Sequence, residues 1–341
     1  MKNTSGFESR KYVIDVICGL FLVYLSWEYY KYIILTQVPM WDAVVYLENA
    51  RNWLNGESIF ETFRPPLISW IIAIIWRFTG ENWIIIKPLS AIFAVGSGIL
   101  LYATLRKYKN GLFALLVVVL TMINTQVFFY NTHIYTEGIS LFFLVATLYL
   151  LKSEKENNWM LAGVAIGLTF ASRYYIVVQA VTILLVECLI RKNSKIFIRT
   201  MYGMLPTISL TILIMYLKTD TFQLAIEGAH VGYLSLFYLT HSIDIWGPIF
   251  YLVPIVFLFR STYTDKYNYV FIAWYIVGII FWSLNAGNYQ YRFAIQFTPA
   301  VYYLAILAIE NIIKGSKIIT LKDILYGIRS SVNFVARFMN Y

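Results

Sequence analysis

The chain has 341 residues, of which 60% are hydrophobic, 18% aromatic and only 13% charged, with a formal net charge of +9 and a mean hydropathy of +0.65. Water-soluble domains carry about 25% charged residues and about 45–50% apolar ones, so a soluble globular protein is excluded and a polytopic membrane protein is expected. The positive balance does not point to nucleic acid, because the lysines and arginines are scattered at the ends of apolar segments, as on the cytoplasmic side of membrane proteins. Cys18 and Cys188 both fall inside apolar segments, which argues against a disulfide framework or a cysteine metal site.

Taken in order, the first apolar segment, 12–35, has the length of a membrane-crossing helix. It is too long for a signal peptide, and no small-residue cleavage site follows it, so it is expected to stay in the protein. A polar stretch comes next, "VPMWDAVVYLENARNWLNGESIFETFRPPL" (38–67). Within it Ala43, Leu47, Ala50 and Leu54 recur at helical spacing, with Asp42, Tyr46, Asn49 and Trp53 as a second stripe beside them. The spacing predicts an amphipathic helix lying on the outer membrane face, stopped at Gly56, with Asp42 and Tyr46 presented sideways. Asp is also a favoured N-cap, and that plainer reading of Asp42 stands beside a functional one. Pro65 and Pro66 disfavour helix in the residue before each and turn the chain back toward the membrane. The run 66–78 has only about 13 residues, roughly 20 Å of helix, against a hydrocarbon core of roughly 30 Å. It is expected to lie at, or re-enter, the outer face.

Spanning helices are then predicted over 12–35, 83–105, 111–130, 137–151, 159–171, 174–190, 200–217, 245–259, 268–284 and 293–313, about ten in all, with both termini cytoplasmic. The basic stretches "RKYK" (106–109), "KSEK" (152–155) and "RKNSKIFIR" (191–199) share the cytoplasmic side in this arrangement, as the positive-inside rule requires. Letting 66–78 span would put most of the cations outside. The expected fold class is an all-α polytopic membrane protein, with about ten transmembrane helices plus juxtamembrane helices on the outer face. It is read as a single domain, 1–341, with an outer loop at 36–82 and a cytoplasmic tail at 314–341.

The outer side collects the chemistry. Glu137 opens a spanning helix after the loop "NTHIYTE" (131–137), where an acid complements the helix dipole. Alternatively, Asp42 and Glu137 facing one cavity would supply a general base and a metal or acceptor ligand. His133 stands four residues before Glu137, a chelating spacing if the turn is helical. A divalent metal is thus a candidate cofactor, with His133 and Glu137 its weak candidate ligands. Arg64, Arg173 and Arg292 sit at outer helix ends. One such arginine would simply snorkel to the interface. Three beside two carboxylates point to an anionic ligand, and guanidinium suits phosphate, including a lipid headgroup reached from the bilayer.

In this order the pieces resemble the GT-C superfamily of polytopic glycosyltransferases, of the dolichyl-phosphate-mannose–protein mannosyltransferase and lipid A aminoarabinose transferase type. "WDAVVYLENARNWLNG" is similar to the family's outer loop, with Asp42 at the catalytic acid and Tyr46 four residues on; Ala43 replaces the Glu that commonly follows. "FRPPLISWIIAIIWRFTG" is similar to a basic residue and two prolines before a membrane-associated helix, with Arg64 where Lys is common. "ENWIIIKPLSAIFAVGSGILLYATLRKY" resembles the next helix, with Lys87 in an Arg place. "YTEGISLFF" supplies Glu137 where the second acid is usually Asp. "WMLAGVAIGLTFASRYY" puts Arg173 in a Lys place, and "YRFAIQFTP" gives Arg292, Phe293 and Pro299 of an Arg-Tyr block followed by Pro. The resemblance covers 12–313, and the periplasmic C-terminal domain of larger members is expected to be missing.

The resemblance implies an integral membrane glycosyltransferase of the cell membrane, multi-pass, with its active site on the extracytoplasmic side. It would move a sugar from a polyprenyl or dolichyl phosphate carrier to a protein, lipid or glycan acceptor, inverting the anomeric centre. Asp42 and Glu137 would be catalytic, Asp42 as general base; Arg64, Arg173 and Arg292 would bind the donor phosphate, and Tyr46 would position substrate. A transporter or lipid flippase is the rival from another class, since ionisable residues mark transport pathways, but here they gather on one face and no inverted repeat is visible. Ala43 keeps a third reading open, a catalytically inactive homologue.

Overall fold

The computed structural model describes residues 5–35, 39, 42–57, 59, 61, 64–219, 236–284 and 290–319. Much of the expected outer loops at 218–244 and 285–292, and the tail from 320 onward, lies outside the described residues. The helices are α1 (Ser5–Leu35), α2 (Asp42–Asn55), α3 (Leu67–Thr79), α4 (Trp83–Ile86), α5 (Leu89–Leu105), α6 (Gly111–Ile123), α7 (Thr125–Asn131), α8 (Thr136–Leu151), α9 (Glu156–Ser172), α10 (Val177–Arg191) and α11 (Ser194–Thr219). Four short pieces follow, α12 (Phe237–Thr240), α13 (Ser242–Trp246), α14 (Leu252–Val256) and α15 (Arg260–Thr264), before α16 (Asn268–Leu284) and α17 (Thr298–Ile313). The chain is all-α, as expected.

Among the described residues, five stretches are long and apolar enough to cross a membrane: Tyr12–Ile33, Trp83–Leu105, Tyr174–Arg191, Ser194–Lys218 and Tyr291–Ile313. A sixth is added if α6 and α7, bent by 60° at their junction, count as one. The expected count of about ten is not reached on length and composition. Helices α3, α8 and α16 are apolar but shorter, and the span expected at 245–259 is broken. There Gly247 takes φ +74, and Pro248 starts a 3-10 turn, Pro248–Tyr251, that separates α13 from α14. Two prolines in this stretch, Pro248 and Pro254, donate no backbone N–H, which favours short pieces over one long helix.

Where a helix breaks inside an apolar interior, its freed backbone groups need partners. Asn124 meets that need at the α6–α7 bend. Its Oδ1 accepts from the N–H groups of Gln126 (3.1 Å) and Val127 (3.2 Å), and its Nδ2 donates to the Ile245 carbonyl at 2.6 Å and to Tyr302 Oη at 3.0 Å. One side chain thus caps α7 and ties the bend to α13 and α17.

Helices α8 and α17 are buried along nearly their whole length and form the centre. Helices α1 and α11 keep large exposed apolar faces. Helices α9 and α11 touch backbone to backbone: a Cβ on Gly163 would lie 1.9 Å from the Thr200 carbonyl, and one on Gly203 would lie 2.1 Å from the Met160 carbonyl. Such small-residue contacts are how helices approach closely in a bilayer.

The amphipathic helix expected after the first span is present as α2 and ends where Gly56 takes φ +74. Its buried stripe is not laid on the membrane, however. Ala43, Leu47 and Ala50, together with Tyr46, pack against Ile68, Ile72 and Trp76 of α3 and against Ile86, Leu89 and Ile134. The 13-residue α3 is therefore the element that faces outward, with Ile74 and Phe78 exposed. Two helices too short to span satisfy each other, and α3 supplies the apolar surface.

Candidate active site

The two acids and three arginines picked from the expected outer side arrive in one cluster. Asp42 is the first residue of α2, Arg64 lies just before α3, Glu137 opens α8, Arg173 terminates α9, and Arg292 sits in the 3-10 segment Tyr291–Phe297 ahead of α17. Five separate segments converge.

Asp42 is the hub. Its Oδ2 accepts from Arg292 Nη1 at 2.6 Å and pairs with Arg64 Nη1 at 3.0 Å. Arg292 comes from 250 positions away, so this contact ties the start of α2 to the segment that leads into α17. Arg64 is held a second time by Glu61, Nε to Oε2 at 2.6 Å. Glu61 is placed in turn by Asn49, whose Nδ2 donates to the Glu61 carbonyl and whose Oδ1 accepts from the Glu61 N–H, both at 3.2 Å. The role of Asn49 is legible only once the loop's return path is known.

Glu137 lies deeper. It is 1% exposed, and its Oε1 pairs with Arg173 Nη1 and stands 3.7 Å from Arg292 Nε. Its Oε2 has no hydrogen-bond partner among the described residues, and neither does Arg292 Nε. The helix start that carries Glu137 is fixed tightly. A Cβ on Gly138 would lie 2.1 Å from Asn131 Oδ1 and 2.8 Å from the Ser90 carbonyl, so α8 can sit this close to α5 and α7 only without a side chain there. Ser140, one turn on, donates to the Glu137 carbonyl at 3.0 Å and accepts from Gln296 Nε2 at 3.1 Å. This ties α8 to the segment bearing Arg292.

Aromatic rings set the arginines apart. The Phe293 ring lies 4.7 Å from the Arg173 guanidinium carbon and 5.3 Å from that of Arg292, and it stacks on Trp282 with centroids 4.4 Å apart. Arg64 stands 5.7 Å over the ring of Tyr46. Each contact is a cation–π arrangement within the usual ~6 Å reach. Burial pushes the Tyr46 phenol above its ordinary pKa despite Arg64 nearby, so Tyr46 is a neutral hydroxyl and not a base. Burial would also raise the Asp42 carboxyl, but Arg292 and then Arg64 outweigh it and hold Asp42 below the usual carboxylate range. Asp42 is thus ionised, with its charge spent on two guanidiniums.

The candidate metal ligands His133 and Glu137 do not share a helical turn. His133 lies between the end of α7 and the start of α8, so the helical turn needed for chelation with Glu137 is missing. Its Nδ1 lies instead 3.0 Å from the Phe129 carbonyl and 3.1 Å from Thr132 Oγ1. Among the described residues no group of three or more His, Cys, Asp or Glu is placed to hold a metal ion. Glu137, expected alongside Asp42 as a catalytic group, lies against Arg173 and Arg292.

Comparison with known proteins agrees with this architecture. Residues 63–218 match the family model described as dolichyl-phosphate-mannose-protein mannosyltransferase, a stretch that contains Arg64, Glu137 and Arg173 but neither Asp42 nor Arg292. No curated protein sequence matches the chain. Among solved structures, ArnT from Cupriavidus metallidurans bound to undecaprenyl phosphate superposes with a TM-score of 0.65 at 12% identity, over 86% of this chain and 60% of that one. The Archaeoglobus fulgidus oligosaccharyltransferase tethered to an acceptor peptide gives 0.58 at 14% identity, over 89% and 50%. The same organism's AglB, in complex with an inhibitory peptide and a dolichol-phosphate, gives 0.54 at 14% identity, over 95% and 54%. This chain therefore spans only about half to three-fifths of the length of the structures it matches. It is a multi-pass membrane protein with the GT-C fold of ArnT and AglB.

Proposed function

We propose that residues 1–341 form one transmembrane glycosyltransferase domain. It moves a sugar from a polyprenyl or dolichyl phosphate to an acceptor hydroxyl or amine at the outer membrane face, with inversion at the anomeric carbon. One observation carries this reading: a single carboxylate oxygen of Asp42 is shared by Arg64 and Arg292 in a cluster that is still partly open to solvent, each of the three side chains being 17–21% exposed. A carboxylate and a phosphodiester present the same kind of acceptor to a guanidinium. Asp42 marks where a donor phosphate would compete for the two arginines. The bound carriers of ArnT and AglB support the same carrier class here.

The chemistry follows from that exchange. The acceptor lone pair attacks the anomeric carbon on the face opposite the phosphate, and the carbon–oxygen bond to phosphate breaks. The leaving polyprenyl phosphate gains a negative charge, which Arg64 and Arg292 are positioned to take up, with Arg173 beside them. The acceptor's proton goes to Asp42. While clamped by both arginines Asp42 is a weak base; once the phosphate draws them away its basicity rises, so the base is armed only when donor is present. Glu137 holds Arg173 and Arg292 in register, and Tyr46 shapes the floor under Arg64.

The test is Asp42→Asn in membranes or nanodiscs supplied with a polyprenyl-phosphate sugar and candidate acceptors. Asn keeps the shape and the capping ability but takes up no proton. Transfer should fall about 10²–10⁴-fold, the usual contribution of a general base, while donor binding persists or tightens, because a neutral amide no longer competes for the arginines. Transfer at the wild-type rate would remove Asp42 from catalysis. A wild-type protein that moves a solute and transfers no sugar would favour the transporter reading.

A further inference from the structure

At the opposite end of the bundle, one full length of α9 from Arg173, the first turns of α9 and α11 enclose a crevice. It holds about 280 Å³ and is lined by Glu156 of α9 and by Lys195, Ile198, Arg199 and Tyr202 of α11. That is room for a small polar group. The crevice lies beside a close contact of the two helices. They meet backbone to backbone at Gly163 and Gly203, and nearer their starts the Arg199–Glu156 pair links them at 2.9 Å.

The α11 side of this crevice is graded. Lys195, Ile198, Arg199 and Tyr202 follow the i, i+3, i+4, i+7 spacing of one helix face. The same face continues through Leu205, Leu213 and Tyr216, all exposed. Cations therefore stand at the outermost turn, an amphipathic ring one turn deeper, and bare apolar surface beyond. Lys195 makes no ion pair among the described residues, and Glu156 offsets only Arg199. The order cation, tyrosine, aliphatic surface is the order of phosphate, glycerol backbone and acyl chain along a phospholipid.

We propose that this crevice binds the phosphate of an anionic phospholipid headgroup, with Lys195 and Arg199 on the phosphate oxygens, Tyr202 at the glycerol level and an acyl chain along Leu205 and Leu213. The site is separate from the Asp42 cluster and does not rest on the glycosyltransferase reading. Glu156 is the internal competitor: it occupies Arg199 in the structure and yields it when a phosphate enters.

The proposal is tested by lipid retention in native mass spectrometry of the detergent-solubilised full chain, offered phosphatidylglycerol or phosphatidylcholine. The wild type should retain phosphatidylglycerol several-fold better. The double variant Lys195→Gln/Arg199→Gln should lose that preference, while Lys107→Gln, a charge removed elsewhere on the same side, should keep it. Glu156→Gln should strengthen retention, because Arg199 is then free; a gain cannot arise from misfolding. Displacement of the lipid by millimolar glycerol 3-phosphate would show that the site reads phosphate itself, and failure to displace it would show that the acyl chain contributes. Equal retention of the two lipids by the wild type, a preference unchanged in the double variant, or weaker retention in Glu156→Gln would overturn the assignment.

Discussion

Glu137 opens α8 and Lys152 follows its last turn, about 22 Å away at 1.5 Å per residue, and each meets an opposite charge in a nearly dry place. Among the described residues Lys152 pairs only with Glu187, and their side chains are 3% and 1% exposed. Two tyrosine rings, Tyr108 and Tyr267, flank the ammonium at 4.9 and 4.6 Å, and Arg191 binds the Leu151 and Ser153 carbonyls just outside. At the other end Glu137 shares Arg173 and Arg292, Arg292 is shared with Asp42, and Asp42 with Arg64. One end is a matched and closed pair. The other is a chain of shared charges that opens to solvent at Asp42, Arg64 and Arg292. A closed pair can only hold helices together, whereas a shared, half-open cluster can exchange one of its anions for a ligand.

The difference predicts opposite responses to losing a cation. Lys152→Met strands Glu187 as an unpaired buried charge, which typically costs about 3–5 kcal/mol, and should lower the thermal midpoint sharply in detergent. Lys152→Met/Glu187→Met should recover most of that loss, since apolar replacement of a whole buried pair is often near neutral. Sugar transfer by the folded fraction should be unchanged in both. If the double variant proved as unstable as the single one, the pair would be doing more than balancing charge.

Arg292→Ala should do the reverse. Asp42 keeps Arg64 and Glu137 keeps Arg173, so stability should change little. Donor affinity should fall ten- to more than a hundred-fold, the effect of losing a charged contact of about 1.5–3 kcal/mol. Arg292→Lys should recover only part of it, because the point charge returns without the planar fork. A polyprenyl-phosphate binding assay separates the outcomes. Unchanged affinity in Arg292→Ala would make Arg292 as purely structural as Lys152.

How much of this could be read beforehand follows from the range of the forces involved. Asp42, Arg64, Glu137, Arg173 and Arg292 stood out in sequence because charge is rare between apolar segments, and the structure brings all five together. The α2 stripe was legible from its periodicity, but periodicity cannot say what a stripe faces, and the partner proved to be α3 and not the bilayer. Asn49 showed only as one of the stripe beside Asp42, with no hint of its partner, and Ser140 and Gln296 gave no signal. They matter only through contacts made after folding, with Glu61 at 12 positions and between Ser140 and Gln296 at 156. The helix breaks at Asn124 and Gly247 were missed because hydropathy averages over them, and a single buried amide is enough to stabilise the first.

The smallest effect concerns pH, and it follows from the sharing at Asp42. The Asp42 carboxyl is held below its ordinary value by Arg292 and Arg64. A depressed carboxyl contributes stability that is fully present above the unfolded value, about 3.9 for Asp, and lost as pH falls through the folded value. The thermal midpoint of the wild type should therefore exceed that of Asp42→Asn by a constant margin from pH 7 down to about 5, and the margin should vanish in more acid solution. Donor changes the sign. If the phosphate takes the arginines, the Asp42 pKa rises on binding, so binding takes up a proton over the interval between the two values. Donor affinity should then tighten as pH falls through that interval in the wild type and stay flat in Asp42→Asn. A wild-type affinity just as flat would mean that phosphate and Asp42 do not compete, and the arginines would then hold the carboxylate permanently, as Lys152 holds Glu187.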